Sequence, residues 1–221
     1  MDRDKANKCT SIEWAELRDR LKSNLKNALS KNEVDQDIVD ILMLLNSIDC
    51  IATSSSCSGR IVVIAAPSPG DKKKGGIQAK WHTTITVHDL IPVLDRLIQR
   101  DKYDFIWISA QPIILSIHTC SFSLASTIVR LVESIGFKYS GIKPHKNSYN
   151  ILVLGTERID IPIKIRENIF IKELNINNIA IITNILNTYL SLVKRKIQRL
   201  KRVLAASLHL LEEKCEEATL F

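Results

Sequence analysis

Between residues 81 and 165 the chain alternates short β-branched runs with amphipathic stretches, and this order limits the available folds more than any other feature. Strand signals fall at 81–87, 104–108, 113–118, 137–142, 149–154 and 159–165, rich in the Ile, Val and aromatic residues that fit a pleated, half-buried surface. Helical periodicity at 89–99 and 122–135 separates them. Two strand–helix–strand units of like order, then two strands joined by a turn at 155–158, describe an α+β fold with a mixed sheet rather than a doubly wound α/β fold. The 221 residues suffice for one domain with a full core, so a single domain over 1–221 is expected.

Helices flank this region on both sides. Thr10 and Glu13 have capping-box spacing, and Trp14, Leu17, Leu21, Leu25 and Ala28 follow at intervals of three or four. A second helix opens after Asp35, an N-cap candidate, with Ile38, Ile41, Leu42 and Leu45 on one face. Residues 175–215 read as one long helix of roughly 60 Å at 1.5 Å per residue. Its seam holds Ile182, Ile185, Tyr189, Val193, Leu200, Leu204, Leu208 and Leu211 near heptad spacing. A basic belt of Lys194, Arg195, Lys196, Arg199, Lys201 and Arg202 crosses its middle. That belt is consistent with a solvated helix face or with contact to an RNA backbone, and the seam with self-association as a homo-oligomer.

The stretch TSSSCSGRI, from Thr53 to Ile61, joins two apolar arms at 48–53 and 60–66 and reads as the connection of a hairpin. One Ser-Gly step suffices for a turn, so the remaining hydroxyls call for another explanation. The loop PSPGDKKKGG that follows carries Lys72, Lys73 and Lys74, suited to phosphate contacts or simply to a solvated tip. A formal net charge of +7 points to a polyanionic partner. Cys9, Cys50, Cys57, Cys120 and Cys215 include no CxxC pair, and their odd number reads as reduced thiols. Neither they nor the five dispersed histidines have metal-ligand spacing, so no metal is expected. The N-terminus is charged where a signal peptide has its apolar core, and no window approaches eighteen consecutive apolar residues, so a cytoplasmic protein with no membrane partner is expected.

Several chemistries are excluded. None of the seven glycines form GxGxxG after a strand, which removes a Rossmann cofactor site. Gly75 is followed by Gly76 and Ile77 where a phosphate loop requires Lys and Ser or Thr. There is no GxSxG elbow, and Cys57 has no motif-linked histidine to make it a nucleophile.

The segment KNEVDQDIVDILMLLNSIDCIATSSSCSGRI, residues 31–61, resembles the signature of the wybutosine-synthesising tRNA methyltransferase family, the third enzyme of its pathway in eukaryotes, with archaeal relatives. Trp81 after a variable loop, Pro112 at a strand start, GFKYSGI at 136–142 and Pro162 in a strand follow the family's order. The resemblance covers about 35–173 and, loosely, the basic C-terminal helix. It implies S-adenosylmethionine-dependent methylation of the N4 ring nitrogen of a demethylated wyosine-type guanosine beside the anticodon of tRNA(Phe), on a fold other than Rossmann. Two family histidines are missing: Ser116 and Thr86 stand at their positions. His118, two positions along, is not expected to replace the first, and no histidine is named as a base.

With that resemblance, Asp37 and Asp49 become the candidate catalytic carboxylates, Asp37 being equally a helix-capping residue. Ser55, Ser56 and Ser58 with the Arg60 fork suit the donor's carboxylate or a tRNA phosphate, although Arg60 equally suits an internal acid. Trp81 is a stacking platform or a core aromatic. Ser140 and Gly141 admit a ligand close to backbone or end a strand. Lys72, Lys73, Lys74, Arg195, Lys196, Arg199 and Arg202 are the RNA-binding candidates.

Overall fold

The computed structural model describes residues 8–68, 70, 71, 73–99, 102–146, 148–170 and 176–220. Its elements are α1 (Ile12–Ser30), α2 (Gln36–Ser47), β1 (Ile51–Ala66), β2 (Gly76–Trp81), α3 (Val87–Ile98), β3 (Phe105–Thr119), α4 (Phe122–Ser134), β4 (Gly141–His145), β5 (Ser148–Leu154), β6 (Ile159–Ile165), β7 (Asn168–Ile169), α5 (Ile176–Ala206) and α6 (Leu208–Leu220), after a short 3-10 turn at Lys8–Thr10. The chain divides into two compact units. The first comprises Met1–Ser58, Ile113–Thr156 and Arg195–Phe221; the second comprises Gly59–Pro112 and Glu157–Lys194.

In the first unit, α1 buries Trp14, Leu17 and Leu21, and α2 buries Ile38, Ile41, Leu42 and Leu45, the stripes that the 3.6-residue period picks out. Ser11, one residue beyond Thr10, caps α1 by accepting the Trp14 N–H at 3.2 Å. β3 pairs antiparallel with β5 from Ile114↔Leu154 to Thr119↔Tyr149, and β5 with β4 from Gly141↔Leu152 to His145↔Ser148. The strand expected at 137–142 starts only at Gly141. Gly136, at φ +99°, ends α4, and the Ser140 N–H donates to the Phe137 carbonyl to turn the chain first.

The second unit is an apolar sandwich of helix and sheet. Ile61, Val63 and Ala65 of β1, Leu90, Leu94 and Leu97 of α3, Ile106, Ile108 and Ala110 of β3, Ile163 of β6 and Ile179, Leu186 and Leu190 of α5 form one buried cluster. β2 pairs with β1 from Ile61↔Trp81 to Ala65↔Gly76, and β6 pairs with β3 from Phe105↔Ile165 to Ala110↔Ile159. The strand signal at 81–87 fails beyond Trp81, because Thr86 and Asp89 form a reciprocal capping box that starts α3 at Val87. By length and composition α5 would span a membrane, yet Ile179, Leu186 and Leu190 lie in this core.

Two expected breaks are continuous strand. Segment 53–61 lies inside the 16-residue β1 and is no hairpin connection. A two-residue reversal needs a consecutive pair of turn conformations, whereas here only Gly59 has positive φ, at 80°. β3 likewise runs through Pro112, which lies between the last residue paired with β6 (Ala110) and the first paired with β5 (Ile114), where its missing N–H breaks neither ladder. The C-terminal tail departs the other way: one helix becomes two, parted at Ser207, whose N–H is shared between the Val203 and Leu204 carbonyls.

The cysteines are corrected too. Cys9 is bonded to Cys120 and Cys50 to Cys215, both within the first unit, and Cys57 takes part in neither bond. An odd count forbids complete pairing but permits two bonds, and partners 111 and 165 residues apart leave no local spacing to read. The Sγ atoms of Cys9, Cys50 and Cys120 lie within 4.8 Å of one another, so the two bonds sit side by side.

Candidate functional site: a polar row on the first unit's sheet

Side chains alternate across a sheet, and antiparallel partners share a face. The register therefore places Ser116 with Leu152 and Gly141, His118 with Asn150 and Lys143, and Ser148 with His145 on one face of the first unit's sheet. The opposite face carries Leu115, Ile117, Ile151 and Val153, all buried in the core. One face of the same strands thus holds the fold, and the other holds polar groups in adjoining rows.

Ser54 of β1 joins this network. Its Oγ lies 3.0 Å from Ser116 Oγ and 3.1 Å from His118 Nε2. Ser116 in turn donates to Asn150 Oδ1 at 2.7 Å. The other imidazole nitrogen, His118 Nδ1, is 3.4 Å from Ser148 Oγ, which is also 3.4 Å from His145 Nδ1. The two imidazole rings meet edge-on with centroids 5.7 Å apart. His118 is 6% exposed, and burial, then the neighbouring His145, lowers its pKa below the ordinary histidine value. Burial thus favours its neutral form. Ser116 and His118 converge on one hydroxyl, that of Ser54.

The serine-rich strand is fixed at its far end. The Ser58 N–H donates to Asp35 Oδ2 at 2.7 Å, so Asp35 occupies the N-cap position of α2 but makes no side-chain capping bond there. At Gly59 a Cβ would stand 2.6 Å from Val193 Cγ1 and 2.9 Å from the Gln111 carbonyl oxygen, and its positive φ disfavours any other residue. Beside Thr53, Ser54, Ser55 and Ser56 opens a cleft of about 250 Å³, walled by α1 residues Leu21 and Leu25, by Leu42 and Val34, and by Glu33. The polar row and Glu33 went unread in the sequence. A period-two reading of 114–118 with 148–154 would have found the row.

The expected site residues scatter more widely. Ser55 and Ser56 are exposed beside the cleft, and Ser58 is buried. Gly141 lies on the face of the polar row with open space where a Cβ would be, while Ser140 accepts the Leu154 N–H at 3.4 Å. Asp37 is exposed in the first turn of α2, and Asp49 is exposed with Lys22 Nζ 3.7 Å away. Arg60 and Trp81 belong to the second unit, where Arg60 Nε donates to Gln111 Oε1 at 2.8 Å and half-buried Trp81 packs on the apolar cluster. Lys73 and Lys74 are exposed, held by backbone N–H bonds to Asp71 Oδ1, and Lys72 lies outside the described residues. On α5, Arg195, Arg199 and Arg202 are exposed, whereas Lys196 is buried with Nζ 4.6 Å from the Phe137 ring centroid. Arg199, Arg202 and Val203 line a groove with Ser134, Ile135 and Gly136.

The architecture has solved counterparts. The PH1069 protein from Pyrococcus horikoshii superposes with a TM-score of 0.78 at 30% identity, covering 90% of this chain and 98% of that one. A hypothetical protein from Aeropyrum pernix shares the fold at a TM-score of 0.65 and 19% identity, over 81% of this chain and 98% of its own. Residues 14–206 match the family model described as Methyltransferase TYW3. Fold and match together define a methyltransferase that works without a Rossmann cofactor site. Among curated relatives, tRNA(Phe) 7-((3-amino-3-carboxypropyl)-4-demethylwyosine(37)-N(4))-methyltransferase 1 of Pyrococcus horikoshii is 34% identical over 80% of this chain and 88% of its own length. Its Pyrococcus furiosus namesake is 33% identical over 81% and 87%. The chain belongs to the TYW3 methyltransferase family.

Proposed function

We propose that the chain methylates the N4 ring nitrogen of a 4-demethylwyosine-type base beside the anticodon of tRNA(Phe). What carries this reading is the extent of the family match, which takes in the serine-rich strand, the polar row and the basic stretch of α5. Family membership implies S-adenosylmethionine as donor, which when bound supplies a methyl group on a sulfonium centre. The lining of the 250 Å³ cleft suits such a molecule. Ser55, Ser56 and Glu33 offer partners for hydroxyl and ammonium groups, and Leu21, Leu25, Val34 and Leu42 an apolar wall for a purine.

Methyl transfer is an in-line displacement, so the protein's main task is to hold donor and ring nitrogen at contact distance and aligned. A rigid strand serves this task better than a hairpin tip. β1 is pinned at Ser58 by Asp35, and its backbone takes positive φ at Gly59 alone. Arg195, Arg199 and Arg202 recur at helical spacing, so they share one face of α5 and suit a run of tRNA phosphates.

The test is nucleoside mass spectrometry of tRNA(Phe) carrying the unmethylated base, after incubation with the purified protein and donor. One added methyl on that base is expected, and none retires the reading. Arg199→Ala and Arg202→Ala should each weaken tRNA binding and lower its salt-dependence slope by about one contact, with donor binding unchanged.

A further inference from the structure

Replacing the hydrogen on a ring nitrogen by methyl releases a proton, and the polar row contains an acceptor positioned to receive it. We propose that Ser54 touches the acceptor base and that His118, acting through Ser54, is the positioning residue that takes the proton. This rests on the methyltransferase reading above. The nitrogen gains a bond to the methyl carbon as the carbon–sulfur bond breaks, its electron pair remaining on sulfur. The N–H proton passes to Ser54 Oγ while the Ser54 hydroxyl proton passes to His118 Nε2, leaving a neutral hydroxyl and an imidazolium.

The placement of the pair suits this task. Ser54 is exposed and borders the cleft, so a ligand can reach it; His118 is buried behind it, 3.1 Å away. With Nδ1–H donating to Ser148 Oγ, the lone pair of Nε2 faces the Ser54 hydroxyl. The single Ser54 hydroxyl proton has two acceptors within reach, Ser116 Oγ at 3.0 Å, whose own proton goes to Asn150, and His118 Nε2 at 3.1 Å; the transfer uses the rotamer that points to His118. The strands beside His118 present Ser54 from β1, Ser148 and Asn150 from β5, and His145 and Lys143 from β4; of these, His145 and Lys143 ionise. His145 lies close enough to oppose the charge of His118 before the transfer. A neutral imidazole is thus ready at neutral pH.

His118→Gln keeps a hydrogen-bonding amide but cannot take a proton in this range. It should lower kcat/KM about a hundredfold, while donor and tRNA affinities stay within about twofold. The wild-type rate should rise with pH to a plateau, through a midpoint on the acid side of the ordinary histidine value, and this limb should vanish in His118→Gln. A second readout needs neither donor nor tRNA: NMR titration of the His118 ring should give that same low midpoint. Should His118→Gln not fold, Ser54→Ala at its exposed position should show a loss of the same order. A variant with the wild-type rate and pH profile, or a His118 ring still charged on the plateau, overturns the pair and leaves the methyltransferase reading standing. A wild-type protein that never methylates the tRNA overturns both.

Discussion

The two compact units use burial differently. The second packs one apolar cluster, from Ile61 to Leu190, in which α3, α5 and three strands contribute aliphatic side chains. The first buries an apolar core on one sheet face, but on the other it buries Ser116, His118 and Ser148, and it holds both disulfides. Burying polar groups costs stability unless every one is partnered, and Ser116, His118 and Ser148 each have a polar partner within the row. The second unit reads as scaffold. The first adds covalent links where part of its interior goes to polar groups.

Three experiments can break or sharpen this contrast. The largest effect should come from Cys215→Ser, which opens a loop closed by residues 165 apart, worth about 5 kcal/mol by chain entropy. Amide exchange should quicken across the first unit while the second unit's protection holds; equal loosening of both would erase the distinction. Next is Leu94→Ala in the second unit, a fully buried side chain whose truncation should cost about 2 to 5 kcal/mol in denaturant unfolding. Its exchange pattern should be the reverse, with the polar row unaffected.

The smallest concerns the second unit's capping box. Asp89 is held below the ordinary carboxylate range by the Thr86 backbone N–H and then by the Thr86 hydroxyl, both donating to its carboxylate. Its folded pKa is lowered, so this stabilisation is complete above the ordinary carboxylate pKa and is lost as pH falls through the lower folded value. Asp89→Asn should therefore flatten the melting profile slightly on the acid side of the ordinary carboxylate pKa. An unchanged acid limb would remove the box as a contributor.

Helices were the most readable part of the chain, because an apolar stripe at intervals of three or four has one common explanation; α1, α2, α3 and α4 lie within a few residues of their signals. β6 falls on Ile159–Ile165 as its alternation indicates. The joins were not readable. Ser-Gly and Pro mark turns, but they also mark a kink within a strand and a change of strand partner, and only the paired neighbour tells these apart. The tertiary fold decided at Gly59 and Pro112. The candidate site was half readable: the serine-rich strand stood out by composition, whereas the role of His118 depends on a hydroxyl 64 residues away. The disulfides were hidden for the same reason of distance.

Those paired disulfides also determine how the molecule bears tension. The shortest covalent route from Cys9 to Cys215 follows the backbone to Cys50 and crosses its bond, so a pull on the two ends draws taut only residues 9–50. The chain from 51 to 214, which holds the whole second unit, the polar row and the arginines of α5, forms slack side loops that carry no load until a sulfur bridge is cut.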